Sequence, residues 1–327
     1  MSTGSGLRAD GVFSGGGVKA IAYAGALKAA EEAGYTDWAH LAGTSAGAIT
    51  ATAVAVGLDA DALTKRLMGF DLETIADIGR PRRVARLRNL MSRQAMARGH
   101  ALRAWIADLL ESAPRPARTF GDLGDRLHVV ATDLVHRRMV VFPEDASRYL
   151  DPAGRPWDPA AFPLADAVRM SAGYPFMFPP VKLRDAQSGT LGALVDGGIV
   201  SGFPVFLFDR RDPCHPTWGF RLQEERLQPA AAISGAGWPL NMVKAILETS
   251  ITELDSLAAQ AFSPRTVTIP TGTVAALQFR LKDSEKHALW EAGYAAASAF
   301  FASAPSALNM FGHAPPPEML PSAGSAS

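Results

Sequence analysis

Twice within the first sixty residues, an apolar run stops at a glycine-flanked turn and is followed by a small-residue, apolar segment of helical character. The first is "GVFSGGGVKAIAYAGALKAAEEAG" (11–34) and the second is "LAGTSAGAITATAVAVGL" (41–58). A strand that must pass straight into a helix, and then do so again, restricts the chain to layered α/β folds in which helices cover a sheet. The apolar runs "HVVATDL", "MVVF", "GALV" and "WGFRL" read as further buried strands, and "ALRAWIADLLE" carries apolar positions at helical spacing.

The 327 residues suit one large domain, expected over 10–302. Residues 1–10 and 303–327 are rich in Gly, Ser, Pro and Ala and are expected to be poorly ordered. The Pro- and Gly-rich "DPAGRPWDPAAFP" (151–163) reads as a surface loop within that domain. Lysine plus arginine balances aspartate plus glutamate at 32 each, so net charge favours no polyanionic partner. The single cysteine, Cys214, excludes an internal disulfide and thiolate metal-site spacings, and no metal or other cofactor is expected. The opening "MSTGSGLRAD" lacks the apolar core of a secretory signal and no run approaches membrane-spanning length, so neither a leader nor a membrane span is expected. The expected location is cytoplasmic, with peripheral membrane contact or export by a signal-less route left open.

Three readings fit the turn at Gly15, Gly16 and Gly17. It can be a tight turn needing positive φ. It can be a dinucleotide fingerprint, since Gly15, Gly17 and Ala20 have G-x-G-x-x-G/A spacing; the acid that should end the next strand is missing, because Asp37 precedes "WAHLAGTSAG". It can be an oxyanion hole, in which bare glycines and free amides at a helix start receive negative charge. The third reading gains from Gly43-Thr44-Ser45-Ala46-Gly47, a G-x-S-x-G elbow in which a strained turn exposes a nucleophilic serine. Serine needs a base. None of the seven histidines lies in a recognisable motif, although His215 and His287 follow the serine in hydrolase order. The other candidate is Asp196 in "LVDGGIVSGFPV", where a strand end is followed by Gly197 and Gly198.

In this combination the chain resembles the patatin-like phospholipases, serine lipid acyl hydrolases with a Ser-Asp dyad. The resemblance runs through the glycine-rich loop, "LAGTSAGAI", "VVATDL", "AVRMSAGYPFMFPPV" and "LVDGGIVSGFPV" in order. It implies a three-layer α/β/α fold with a mainly parallel central sheet, Ser45 as nucleophile and Asp196 as base. It also implies an oxyanion hole at Gly15, Gly16, Gly17 and Val18, helped by the Ala46 amide, with Gly43, Gly47, Gly197 and Gly198 shaping the turns. The implied substrate is a phospholipid, lysophospholipid or other acyl ester. Gly202 departs from the asparagine that many relatives carry, and Ala20 from their glycine. A non-catalytic lipid-binding scaffold on the same fold is the alternative, followed by a dinucleotide-binding enzyme.

Two further features stay open at this level. Lys19 either buttresses the loop or meets a phosphate head group, or else is a solvated helix residue. Seven arginines and no acid lie between Arg80 and Arg98, with Val84, Leu87, Leu90 and Met91 at helical spacing. Arg82, Arg83, Arg86 and Arg88 thus form a candidate patch for an anionic membrane, or a solvated or covered face. Nucleic acid ranks below lipid, for want of interleaved aromatics. "SAGYPFMFPPV" supplies Tyr174, Phe176, Met177 and Phe178 either to an acyl-chain wall or to the core.

Overall fold

The computed structural model describes residues 6–77, 95–209, 214–224, 256–257, 260–274, 276, 278 and 280–303. Its elements run β1 (Leu7–Phe13), a 3-10 turn (Gly17–Ala20), α1 (Ile21–Glu32), β2 (Tyr35–Thr44), α2 (Ala46–Ala55), α3 (Ala60–Met68), α4 (Leu72–Ile75) and α5 (His100–Glu111). They continue with β3 (Leu127–Asp133), β4 (Arg138–Phe142), α6 (Leu164–Ser171), β5 (Val181–Arg184), β6 (Leu191–Asp196) and α7 (Gly198–Ser201). The last described are β7 (Thr217–Gln223), β8 (Thr266–Pro270) and α8 (Asp283–Ser303).

The described strands form one sheet in the order β5-β6-β3-β2-β1-β7-β8, with β4 also on β3. Pairing is parallel for β1 with β2 and β7, β2 with β3, and β7 with β8. It is antiparallel where β4 and β6 meet β3 and where β5 meets β6. This is a mixed α/β fold with a mostly parallel central sheet flanked by helices, as the alternation in the sequence predicts.

Both faces of the sheet are covered. Side chains alternate along a strand, and accordingly Phe13 and Leu41 join the main core while Val12 and Ala42 join a smaller cluster with Phe203, Val205 and Phe208. Phe13 stacks on Phe220 of β7, with ring centroids 4.9 Å apart. Helix α2 is built of Ala, Thr, Ile, Val and Gly and is buried nearly all round, as a helix without a polar face must be. Helix α3 is amphipathic and capped by Asp59, whose Oδ1 accepts the Ala62 N–H at 2.8 Å.

The N-terminal part of the chain departs from expectation at Leu7. Strand β1 begins at Leu7, inside the stretch expected to be poorly ordered, because Leu7 donates its N–H to Gly34 O at 2.8 Å and pairs with Tyr35. The helical segment after the glycine turn opens as the 3-10 turn and becomes α-helical only at Ile21. Its C-terminal glycine, Gly34, lies at φ 96°.

Candidate active site

Ser45 stands where β2 becomes α2, at φ 55° and ψ −121°, a conformation that costs an L-residue on the order of 1–3 kcal/mol. Its flanking glycines are required by contact. A Cβ on Gly43 would lie 2.3 Å from the Gly47 carbonyl, and one on Gly47 would lie 2.2 Å from Phe13 O. The elbow is held against the end of β1, beside the glycine loop.

Asp196 is brought to it by strand β3. Residues 129–133 of β3 pair with β4 along one edge. A strand has only two edges, so β2, paired through Val130↔Thr44, and β6, paired through Ala131↔Asp196, share the other. Since β2 runs parallel to β3 and β6 antiparallel, their carboxyl ends meet head-on at adjacent β3 residues. Ser45 and Asp196, 151 positions apart, therefore arrive at one place. A Cβ on Gly197 would lie 2.3 Å from Val130 O and 3.0 Å from Thr44 Cγ2, which keeps this turn glycine.

Two polar ties at the end of α6 hold the junction. The Ser45 N–H donates to Ser171 Oγ at 2.9 Å, and that hydroxyl donates to Val130 O at 2.6 Å. The Asp196 N–H donates to Gly173 O at 3.1 Å. Thr44 Oγ1 donates to Ser201 O at 2.9 Å, joining β2 to the short helix after Asp196. Ser171 was missed as a site residue by sequence reasoning. Its only signal was its place in "AVRMSAGYPF", and a lone serine at a helix end has no chemistry of its own to announce.

The Asp196 carboxyl is 4% exposed as a residue, and burial pushes its pKa from 3.8 up to about 6. The Ser45 hydroxyl and the Gly198 N–H oppose that rise, the amide donating to Oδ1 at 2.9 Å. Oδ2 is buried with no fully formed hydrogen bond among the described residues, the loose resting geometry that catalytic pairs often have before substrate arrives. A carboxylate so placed is a better base than a solvated one.

The loop of Gly15, Gly16 and Gly17 is half-buried beside Ser45; a Cβ on Gly15 would lie 3.6 Å from that of Ser45. The amides of Gly15, Gly16, Gly17 and Val18 are not equivalent. Gly15 N–H is committed to Gly202 O at 2.9 Å and Val18 N–H to Ala276 O at 3.0 Å. Gly16 and Gly17 have no such partner among the described residues. The Ala46 N–H, at the start of α2, has no intrahelical acceptor. Gly202 ties the Asp-Gly-Gly turn to the glycine loop through its backbone carbonyl, a link that needs no asparagine side chain.

Lys19 is not a solvated residue. It is 3% exposed and forms an ion pair with Glu224 at the end of β7, so it braces the loop. Of the described histidines, His40 and His215 bind Asp10, His128 binds Glu144, His136 binds Asp133, and His100 and His287 are exposed. Asp37, the acid nearest to a dinucleotide fingerprint, lies in the first half of β2, paired with Arg8 and remote from the glycine turn. Met177 and Phe178 are core residues, whereas Tyr174 and Phe176 are half-buried. Arg82, Arg83, Arg86 and Arg88, and residues 304–327, lie outside the described residues. Among described residues, no helix is long and apolar enough to cross a membrane. A cavity of about 220 Å³ lies against the loop, lined by apolar side chains such as Val18, Ile21, Leu67 and Phe70 and also by the polar Asp71, Gln278, Arg280 and Lys286.

The sequence profile described as patatin-like phospholipase matches residues 11–209. The uncharacterized protein YqhO of Bacillus subtilis is 36% identical over 290 residues, 87% of this chain and 94% of its own length. The uncharacterized protein R571 of Acanthamoeba polyphaga mimivirus is 25% identical over 291 residues, 86% of this chain and 89% of its own. Among solved structures, VipD from Legionella pneumophila superposes with a TM-score of 0.55 at 19% identity, covering 93% of this chain and 68% of VipD; that likeness concerns the fold.

Proposed function

Because this chain belongs to the patatin-like phospholipase family, whose members are lipid acyl hydrolases, we propose that it cleaves acyl esters of phospholipids or lysophospholipids through an acyl-serine intermediate, with Ser45 as nucleophile and Asp196 as base. The observation that carries this reading is the head-on junction of β2 and β6 on β3, with a strained, accessible serine beside a buried carboxylate whose Oδ2 has no fully formed hydrogen bond among the described residues. In the first step Ser45 Oγ bonds to the ester carbonyl carbon while its proton passes to Asp196 Oδ2. The charge that develops on the carbonyl oxygen is received by the amides of Gly16, Gly17 and Ala46. Collapse breaks the ester bond, and the departing alkoxide takes the proton from Asp196. Water then attacks the acyl-enzyme, giving its proton to Asp196, and Ser45 recovers a proton as the fatty acid leaves.

Residues 10–302 are read as one hydrolase domain, and the arginine-rich segment 80–98 as its contact with anionic lipid. Charge reversal of Arg82, Arg83, Arg86 and Arg88 together should then weaken binding to phosphatidylserine-containing vesicles.

A fluorophosphonate probe tests the chemistry directly. It should label Ser45, and release of fatty acid from a panel of defined phospholipids and lysophospholipids should vanish in Ser45→Ala and in Asp196→Asn. Vesicle binding without labelling or release would instead identify a lipid-binding scaffold on this fold.

A further inference from the structure

Beyond β2 the sheet continues as antiparallel pairs, β4 on β3, β3 on β6 and β6 on β5. Val129, Ala131, Val140, Phe142 and Leu194 of these strands join the main core. Alternation sends their neighbours to the opposite face, which an antiparallel sheet can leave to solvent. On that face the register sets Lys182 opposite Ala193, Arg184 opposite Leu191, and Thr132 between Val195 and Met139. Leu134 follows, its N–H donating to Ala193 O at 3.1 Å. The short helix α7 covers the inner part, and Thr132 Oγ1 donates to Gly197 O at 3.4 Å just before it. The outer part is bare. Leu134 is 44% exposed, Leu191 48% and Val200 of α7 39%, while Met139 and Ala193 are half-buried. We infer that this face docks on an anionic lipid bilayer.

Charge decides the occupant. Lys182 and Arg184 are exposed on the face and Arg137 at the adjoining turn, and none of them has a carboxylate partner among the described residues. Arg184 spends one N–H on a carbonyl, Gly189 O, at 2.6 Å. No acid occupies an outward position of β5, β6 or β4, or of β3 from Val130 to Leu134. The nearby carboxylates, Asp133 and Asp185, are buried on the core side with His136 and Arg138, at 2.6 Å each. Aliphatic side chains bordered by cations match acyl chains beneath anionic head groups. The same border disfavours a second copy, because a two-fold contact through this face would set Lys182 and Arg184 against their own equivalents.

The choice of lipid rests on the reading of the chain as a lipid acyl hydrolase. Leu191 lies five residues up β6 from Asp196, about 16 Å at roughly 3.3 Å per residue. That is close to one leaflet's share of a hydrocarbon core about 30 Å thick. Val200 follows Asp196 by four residues. A bilayer on this face therefore lies within about one acyl chain's length of Ser45 and Asp196. The contact is made by residues other than the arginine-rich segment 80–98.

The test uses the full-length chain and phosphatidylcholine vesicles with or without phosphatidylserine. Sedimentation should show binding to the phosphatidylserine vesicles that weakens as salt is added. Lys182→Glu with Arg184→Glu, and separately Leu134→Ser with Leu191→Ser, should each weaken that binding at least about ten-fold. Both double variants should hydrolyse a soluble short-chain ester at the unaltered rate. Ser45→Ala should lose that hydrolysis and still bind vesicles as the unaltered chain does, so the docking face and the catalytic reading fail separately. An environment-sensitive dye on Leu191→Cys, in a Cys214→Ser chain, should report an apolar surrounding when phosphatidylserine vesicles are added. No binding to those vesicles, unchanged binding in both double variants, or a dye that stays in water would overturn the inference. A dimer in sedimentation equilibrium that Leu134→Ser with Leu191→Ser dissolves would overturn it too, assigning the face to a second copy. Should the double variants fail to fold, the dye at position 191 decides.

Discussion

At the scale of single residues, the Asp196 carboxyl sets the strongest expectation. As the base it must be ionised, so kcat/KM should fall ten-fold per pH unit below about pH 6. A flat profile between pH 5 and 8 would remove Asp196 from that role. The same shift bears on stability. Its folded pKa lies above the unfolded one, so the folded chain holds this proton more tightly. The cost of ionising it in place is absent below about pH 4 and fully present above about pH 6. A rise from 3.8 to about 6 corresponds to about 3 kcal/mol as an upper bound. Asp196→Asn should therefore abolish turnover yet raise the melting temperature at neutral pH, the trade expected where a site is built against stability. Ser171→Ala should act in the other direction. It strips a partner from the Ser45 N–H and from Val130 O, costing about 1–3 kcal/mol in urea unfolding. Because the elbow then loses its tie, kcat should drop with KM nearly unchanged.

At the scale of elements, the closest helix contact among the described residues is between α1 and α8. A Cβ on Gly25 would lie 2.0 Å from Trp290 O, and one on Gly293 would lie 1.8 Å from Ala22 O, so the two backbones touch. Trp290 Nε1 donates to Thr64 Oγ1 at 3.0 Å and Tyr294 OH to Glu32 Oε2 at 2.7 Å, which fixes the register of α8 against α3 and α1. Gly293→Ala must part these helices, and about 1–3 kcal/mol should be lost, read as a lower thermal midpoint with unchanged helical content. Substitution at the elbow glycines, Gly43 or Gly47, meets backbone in the same way, but there the displaced element carries Ser45.

At the scale of the whole molecule, the match to the family profile ends at residue 209, whereas the sheet continues through β7 and β8. Without them β1 becomes an edge strand, Phe13 loses its stack on Phe220, and α1 loses the helix that packs on it. A chain ending at residue 209 should show no cooperative unfolding transition by calorimetry and should expose apolar surface to dye. A sharp transition in that fragment would mean that β7, β8 and α8 are accessory.

What the sequence determined by itself was local. The strand–turn–helix order at 11–34 and 41–58, the glycines at the elbow, and Asp196 at a strand end before two glycines all follow from rules acting over a few residues, since helix and strand periodicity and the absence of Cβ are short-range constraints. What tertiary structure decided was every meeting between distant segments. Adjacent residues of β3 receive the ends of β2 and β6, Ser171 ties Ser45 to Val130, Glu224 neutralises a buried Lys19, and Asp10 gathers two histidines from other parts of the chain. A lysine before a helix reads as solvated, and a histidine among apolar residues reads as core, until the strand order sets a carboxylate beside each. Sequence patterns record which face a residue must hide; only the packed sheet determines what it finds there.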